Sequence, residues 1–452
     1  MFPTLRSVRG RTVVVRRTVR SMLARRAEIF SSGVSRLQLR PRGGLSSRSS
    51  AVLPWVACGL ALVIAIECRD FISEALRHDE VDFGVYRAGG LALARGADVY
   101  AIHVGALRLP FTYPPAAAVL FAPLAAFDTR HAQAVWAVGS IIALWYVVRL
   151  SLRRYATSAV GGSLLATAAV FVVVAHSNPV RVGMWQGQIN VFLLLLILAD
   201  FCGCFRSLPR GSLIGLAAAL KLTPAFLIVY LLVVRRFRAA AVAAATFLSV
   251  ALAAVAAGPS TSWRYWFHGY FANAPRAGDL QYISNQSLHG LLVRLTGDPD
   301  RARLLWLSAA VLTAIAVLWA ARRAHAERPW LAEALAMAGI VLISPLSWVH
   351  HWILVLPLLI ASLRYAAEAP ARLRIALAST TLALSAVLLY GVVWKVPIDN
   401  DQVYRANVWQ FLVGNSQVLL LLVLVLLVTG RLFGDRRSGS AQLRLDRLHD
   451  RV

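Results

Sequence analysis

Apolar residues recur in runs of roughly 17–20, the length a helix needs to cross a hydrocarbon core about 30 Å thick. Most runs are bounded by Arg or by Gly, Pro and Asn. Ten spans are predicted: 51–69, 131–150, 156–176, 189–205, 239–257, 303–321, 331–346, 352–366, 375–393 and 415–430. Two stretches break the pattern. "PPAAAVLFAPLAAF" (114–127) is too short to cross comfortably and is interrupted again at Pro123, so a re-entrant or interfacial helix is expected. "GSLIGLAAALKLTPAFLIVYLLV" (211–233) is long enough, but Lys221 and Thr223-Pro224 interrupt its middle and Arg flanks both ends. Because Pro breaks helical hydrogen bonding, it reads as two half-helices dipping in from the cytoplasmic side. The expected class is an all-α polytopic membrane protein of about ten spans plus these partial elements.

Composition supports that class: 58% of the 452 residues are hydrophobic and 15% charged, against about a quarter charged in soluble domains. The net charge of +26 would suit a nucleic-acid binder, but the Arg residues cluster at the ends of apolar runs, as cytoplasmic retention of positive charge requires. No nucleic-acid partner is expected. Residues 1–50 read as a basic, disordered cytoplasmic tail attracted to anionic lipid, 51–430 as the membrane domain, and 431–452 as a cytoplasmic C-terminal tail. The four cysteines lie in or beside apolar runs and read as small core residues.

With the N-terminus inside, the loop 70–113 emerges outside and carries six of the 21 acids, Glu80 and Asp82 among them. The same topology brings out Gln186, Gln188 and Asn190, then Asn285-Gln286-Ser287, then His350-His351, and Asp399 with Asp401. Five polar islands on one face point to an extracytoplasmic pocket. Asp82, just beyond a span, is a candidate general base, since a low-dielectric neighbourhood raises a carboxyl pKa; a helix cap or solvated acid is the alternative. "FTYPP" (111–115), with Tyr113, offers an aromatic wall or an interfacial anchor. The amides of "MWQGQIN" (184–190) donate and accept at once, as sugar hydroxyls require. "NQS" (285–287) matches a glycosylation sequon but reads better as part of a pocket wall. In "SWVHHW" (347–352) adjacent His residues project in different directions on a helix, so a shared metal is not expected, whereas one of them suits a phosphate or hydroxyl. Lys221 is an intramembrane cation that needs a partner. That cation beside a broken helix also allows a secondary transporter or a lipid-linked sugar flippase, although a transporter should show two matching interrupted halves and no repeat is visible.

In order along the chain, "DFGVYRAGG", "FTYPPAAAVLFAPLA", "GQINVFLLLLILAD", "GLAAALKLTPAFLIVYLL", "NQSLHG" and "SPLSWVHHW" resemble glycosyltransferase family 87, the actinobacterial polyprenol-phosphate-mannose-dependent mannosyltransferases. The resemblance spans about residues 80–360. It implies a GT-C multi-helix bundle with an extracytoplasmic active site. The implied donor is polyprenyl-phosphate-mannose, with no other cofactor. The implied acceptor is a mannosylated lipid: a phosphatidylinositol mannoside, lipomannan or lipoarabinomannan. By position in "DFGVY" the resemblance makes Asp82 the base. It places one of His350 and His351 near donor phosphate or acceptor. Lys221 or an outer Arg such as Arg181 is a further phosphate candidate. Single-displacement inversion, α-(1→2) linkage and independence of metal are expected.

Overall fold

The computed structural model describes residues 47–77, 81–396 and 403–449. The expected tail up to residue 46, Glu80, Asp399 and Asp401 lie outside the described residues. The helix Ser47–Arg77 covers the first expected span, and the chain divides into two compact units at Gly59/Leu60. The unit from Leu60 onward holds all the elements after that first helix.

Helix starts are set by local chemistry. Asp128 accepts from the N–H of His131 ahead of Thr129–Tyr155, and Asn407 and Gln410 cap each other's backbone ahead of Val408–Gly414. Pro opens Pro115–Phe121, Pro299–Ala324 and Pro329–Ile343, where its missing N–H is no loss.

Among the described residues six helices are long and apolar enough to cross a membrane: Thr129–Tyr155, Phe237–Ala257, Pro299–Ala324, Val349–Ala367, Ala371–Tyr390 and Ser416–Phe433. A seventh crossing forms if Leu164–His176 and Asn178–Trp185, bent by 69°, count as one. The protein is a polytopic membrane protein. Val135, Val138, Ile142 and Tyr146 stand exposed along one helix, and Leu304, Val311, Leu312 and Ile315 along another. Large apolar side chains at three- and four-residue spacing, exposed in such number, form faces suited to lipid rather than water.

Two of the ten expected spans fall short for a physical reason. The expected spans 189–205 and 331–346 are helices of 13 and 15 residues, Asn190–Cys202 and Pro329–Ile343. In the second, every residue from Trp330 to Leu342 is buried, so other helices rather than lipid surround it. Its four alanines and Gly339 let neighbours approach closely. The 211–233 segment is broken as expected, into Ser212–Leu220 and Phe226–Val233, with Lys221 in extended backbone at the break. The 114–127 stretch is a helix Pro115–Phe121 and a tight 3-10 turn to Ala126.

The class is all-helical as expected, with one two-residue antiparallel pairing, His103–Val104 with Leu109–Pro110, in the first long loop. One expectation is corrected. None of the four cysteines is fully buried, and all are free; an apolar run in a membrane helix has an outer face as well as a core face. At the other end of the helix that begins at Thr129, Arg154 grips the buried Glu333 with two hydrogen bonds, 2.9 and 2.6 Å, joining two helices through a charge pair.

Candidate functional site

Asp82 stands in the first turn of Val81–Ala94. The N–H groups of Asp82 and Phe83 both donate to the carbonyl of Gln186, at 3.0 and 3.2 Å. Helix N-termini leave such donors without intrahelical partners, so one carbonyl seats this helix on the 186–190 segment. One turn on, Tyr86 is fully buried, stacked on Phe121 at 4.4 Å and edge-on to Tyr113 at 5.0 Å. The following Gly89-Gly90 pair permits this contact: a Cβ on Gly90 would meet the Phe121 carbonyl carbon at 2.5 Å.

The chain reverses at Gly187, whose φ of +68° is open to glycine. The turn lets Gln186 and Gln188 line the same cavity. Gln188 is buried, and its Oε1 accepts from Tyr86 at 3.2 Å, Tyr113 at 3.4 Å and Asn190 at 3.3 Å. With the oxygen committed, the amide nitrogen donates to the Asp82 carboxyl. Asp82 lies outside the spanning helices, half-buried. Burial pushes its pKa up to about 6, against the downward pull of the Gln188 hydrogen bond and the Lys221 charge.

Lys221 reaches this place because the helix breaks there. Its Nζ donates to Asn190 Oδ1 at 2.9 Å and lies 2.9 Å from His351 Nε2, with the Tyr113 ring centroid at 5.4 Å. His350 and His351 sit in the 3-10 turn Val349–Val355 with rings nearly perpendicular, 4.7 Å apart. They face different groups: His351 meets Lys221, whereas both ring nitrogens of the buried His350 have no hydrogen-bond partner among the described residues. His350 lines the cavity.

That cavity encloses about 1480 Å³, more than the few hundred to 1,000 Å³ of ordinary small-molecule sites. It brings together Asp82, Tyr113, Gln186, Gln188, Lys221, His350 and His351. Asn190 stands behind Lys221, lining a small adjoining pocket. Asn285 and Gln286 are not brought to the cavity. Both are fully buried. Asn285 accepts from the Ser347 N–H and donates to the Leu280 carbonyl, while Gln286 donates to the carbonyls of Ile283 and Gly414. These bonds pin the 278–287 loop to the ends of two helices. In "NQSLHG" it is His289, with the nearby Ser284, that lines the cavity, and Ser287 caps the helix Leu288–Thr296. Arg181 is exposed and away from the cavity lining.

Sequence reasoning passed over Arg276, Tyr270 and Arg303, all cavity residues. The available signal was the aromatic content of the 258–302 loop. Among the described residues no three His, Cys, Asp or Glu side chains gather as a metal-holding group.

A model of glycosyltransferase family 87 matches residues 111–347. This range includes Tyr113, the 186–190 amides and Lys221, and ends before the His pair. A polyprenol-phosphate-mannose-dependent alpha-(1-2)-phosphatidylinositol mannoside mannosyltransferase of Mycolicibacterium smegmatis is 34% identical over 362 residues, 75% of this chain and 81% of the relative. Its namesake from Mycobacterium tuberculosis is 33% identical over 410 residues, 85% of this chain and 92% of the relative. A pentamannoside mannosyltransferase of Mycobacterium tuberculosis, with the same donor and linkage in its name, is 32% identical over 335 residues, 72% and 75% of the two chains. No solved structure matches.

Proposed function

The chain belongs to glycosyltransferase family 87, and from that membership we propose that it moves mannose from polyprenyl-phosphate-mannose to a mannosylated phosphatidylinositol, forming an α-(1→2) linkage. The donor, acceptor and linkage follow the names of its relatives. The observation that carries the reading is the Asp82 carboxyl opening on a large cavity whose lining also holds the Lys221 amine and two imidazoles.

Asp82 takes the proton of the attacking acceptor hydroxyl. A base with a pKa about 6 is mostly ionised at neutral pH yet basic enough to share a proton in the transition state. Gln188 orients the carboxyl, and Tyr86 and Tyr113 fix Gln188 in turn. The oxygen attacks the anomeric carbon as the bond to phosphate breaks, so the β-linked donor gives an α-linked product in one displacement. Negative charge collects on the departing polyprenyl phosphate. His350, with two free ring nitrogens, and Lys221 stand ready to receive it. Two lipid-anchored substrates confined to one cavity gain rate through orientation.

We place the cavity on the extracytoplasmic side of a GT-C-type bundle, with both termini cytoplasmic, because Arg clusters close the runs predicted to end inside. The short, buried helices complete that bundle between the longer crossings. Lys221 and His350 of the chain itself face the place of the departing phosphate, so transfer is read as metal-independent. Loss of activity with chelator and recovery with magnesium or manganese would contradict that.

The test is transfer of labelled mannose from polyprenyl-phosphate-mannose to phosphatidylinositol mannosides in membranes. Wild-type protein should transfer and Asp82→Asn should not. Near-normal transfer by Asp82→Asn removes Asp82 as the base, and no transfer by wild type removes the donor and acceptor assigned.

A further inference from the structure

We propose that Arg276 holds a phosphate group of a lipid substrate, forming an anion subsite in the same cavity as Asp82 but on the wall built by the 258–302 loop. The inference rests on the proposed function, which brings two lipid phosphates to the cavity, one on the donor and one on the acceptor.

Arg276 lies in the short 3-10 turn Ala274–Ala277 and is half-buried against the cavity. Its guanidinium carbon sits 4.0 Å from the ring centroid of Tyr270 and 5.3 Å from that of Tyr100. One Nη donates to the Phe111 carbonyl at 3.2 Å. The group is therefore held in a fixed plane by two aromatic rings and one backbone acceptor, and its other N–H groups have no protein acceptor among the described residues. A guanidinium pre-oriented in this way presents a fork that matches phosphate oxygens bidentately.

Arg276 is also without a carboxylate partner among the described residues, although Asp279 and Asp300 line the same cavity. Asp98 caps the turn that carries Tyr100, but its other carboxylate oxygen pairs with Arg264. Arg264, in the helix Pro259–Phe267 and outside the cavity lining, thus takes that carboxylate. Among the described residues Arg276 makes no ion pair. Removing a cation from water without a counter-charge is unfavourable, and aromatic faces recover only part of the loss. An anionic ligand completes the balance.

Position links this subsite to the reaction. Phe111, whose carbonyl Arg276 grips, is two residues from Tyr113, and the Tyr113 hydroxyl meets the Gln188 oxygen beside Asp82. A phosphate on Arg276 is thereby referred to the chain segment that also borders the base.

The test uses purified full-length protein in detergent and two probes, farnesyl phosphate for the donor side and lysophosphatidylinositol for the acceptor side. Binding is measured by microscale thermophoresis for wild type, Arg276→Gln and Arg276→Lys. Arg276→Gln should weaken one probe at least tenfold and leave the other within twofold; the probe affected identifies the source of the phosphate. Arg276→Lys should fall between the two proteins, because it keeps the charge and loses the fork. In the transfer assay the same variant should raise KM for the matching substrate more than it lowers kcat. A purely structural clip would instead lower thermal stability and both affinities together. Wild-type affinity of Arg276→Gln for both probes overturns the proposal, as does wild-type protein that binds neither. Should Arg276→Gln not survive purification, Arg276→Lys decides: weakening of one probe by threefold or more supports the subsite, and unchanged binding of both overturns it. These outcomes do not depend on turnover, so wild-type protein that transfers no mannose would defeat the functional reading and leave this one standing.

Discussion

Replacing Asp82 with Asn should slow the enzyme and stabilise it, two opposite effects of one burial. Burial raises the carboxyl from its ordinary 3.8 to about 6. The folded state therefore binds the proton more tightly than the unfolded chain does. The stability this provides is fully present below pH 3.8 and is lost as pH rises through about 6. At neutral pH the ionised group then costs the fold up to about 3 kcal/mol. Asn keeps the shape and cannot ionise, so Asp82→Asn should unfold at a higher temperature than wild type at pH 7.5, with the gap closing toward pH 4. Activity should move the other way, because loss of a general base typically removes about 10²–10⁴ in rate. In wild type, kcat/KM should be level above pH 7 and fall about tenfold per pH unit below the midpoint near 6. Thermal melts in detergent and mannose transfer between pH 4.5 and 8 measure both. A profile flat to pH 4.5, or a variant within a few-fold of wild-type rate, would refute the reasoning.

Three further outcomes are expected. Lys221→Met removes the donor from Asn190 and His351 and the positive charge that holds the Asp82 pKa down; the acid limb of the wild-type profile should move to higher pH, and an unmoved limb would show that the two groups are not coupled. Gly90→Ala sets a Cβ 2.5 Å from the Phe121 carbonyl carbon and 2.6 Å from the Ala122 nitrogen, backbone atoms that cannot swing aside. It should destabilise by about 1–3 kcal/mol, read as a lower melting temperature, and depress transfer through the helix that carries Asp82. Glu333→Ala removes the buried partner of the part-exposed Arg154 and its two hydrogen bonds and should destabilise by about 1.5–3 kcal/mol, while KM measured on the surviving protein stays near wild type.

Legibility in the sequence followed the physics of each feature. Long lipid-facing helices were plain because one face must be apolar along its whole length, as in Phe237–Ala257 and Pro299–Ala324. The Pro224 break was plain because proline forbids the bond. Helices surrounded by protein, such as Pro329–Ile343, carry equally apolar sequence at lesser length, so hydropathy alone counted them as crossings. At the site, Asp82, Tyr113, the amides, Lys221 and the His pair announced themselves as polar groups in apolar surroundings, and all but Asn190 line one cavity. Asn285 and Gln286 looked the same in sequence but spend their amides on backbone groups at helix ends. A buried amide reads identically whether its partner is a ligand or a carbonyl. Arg276 was invisible for the opposite reason: in so basic a chain one more arginine carries no signal until its rings and missing carboxylate are seen.

The central claim, that Asp82 deprotonates a mannoside hydroxyl for attack on polyprenyl-phosphate-mannose, is met most directly by product analysis. Purified wild-type protein and Asp82→Asn are each given that donor and a defined phosphatidylinositol mannoside. A single added α-(1→2)-linked mannose with wild type, and none above background with the variant, is the expected result. Equal product from both proteins, or a β-linked product that signals retention at the anomeric carbon, would contradict it.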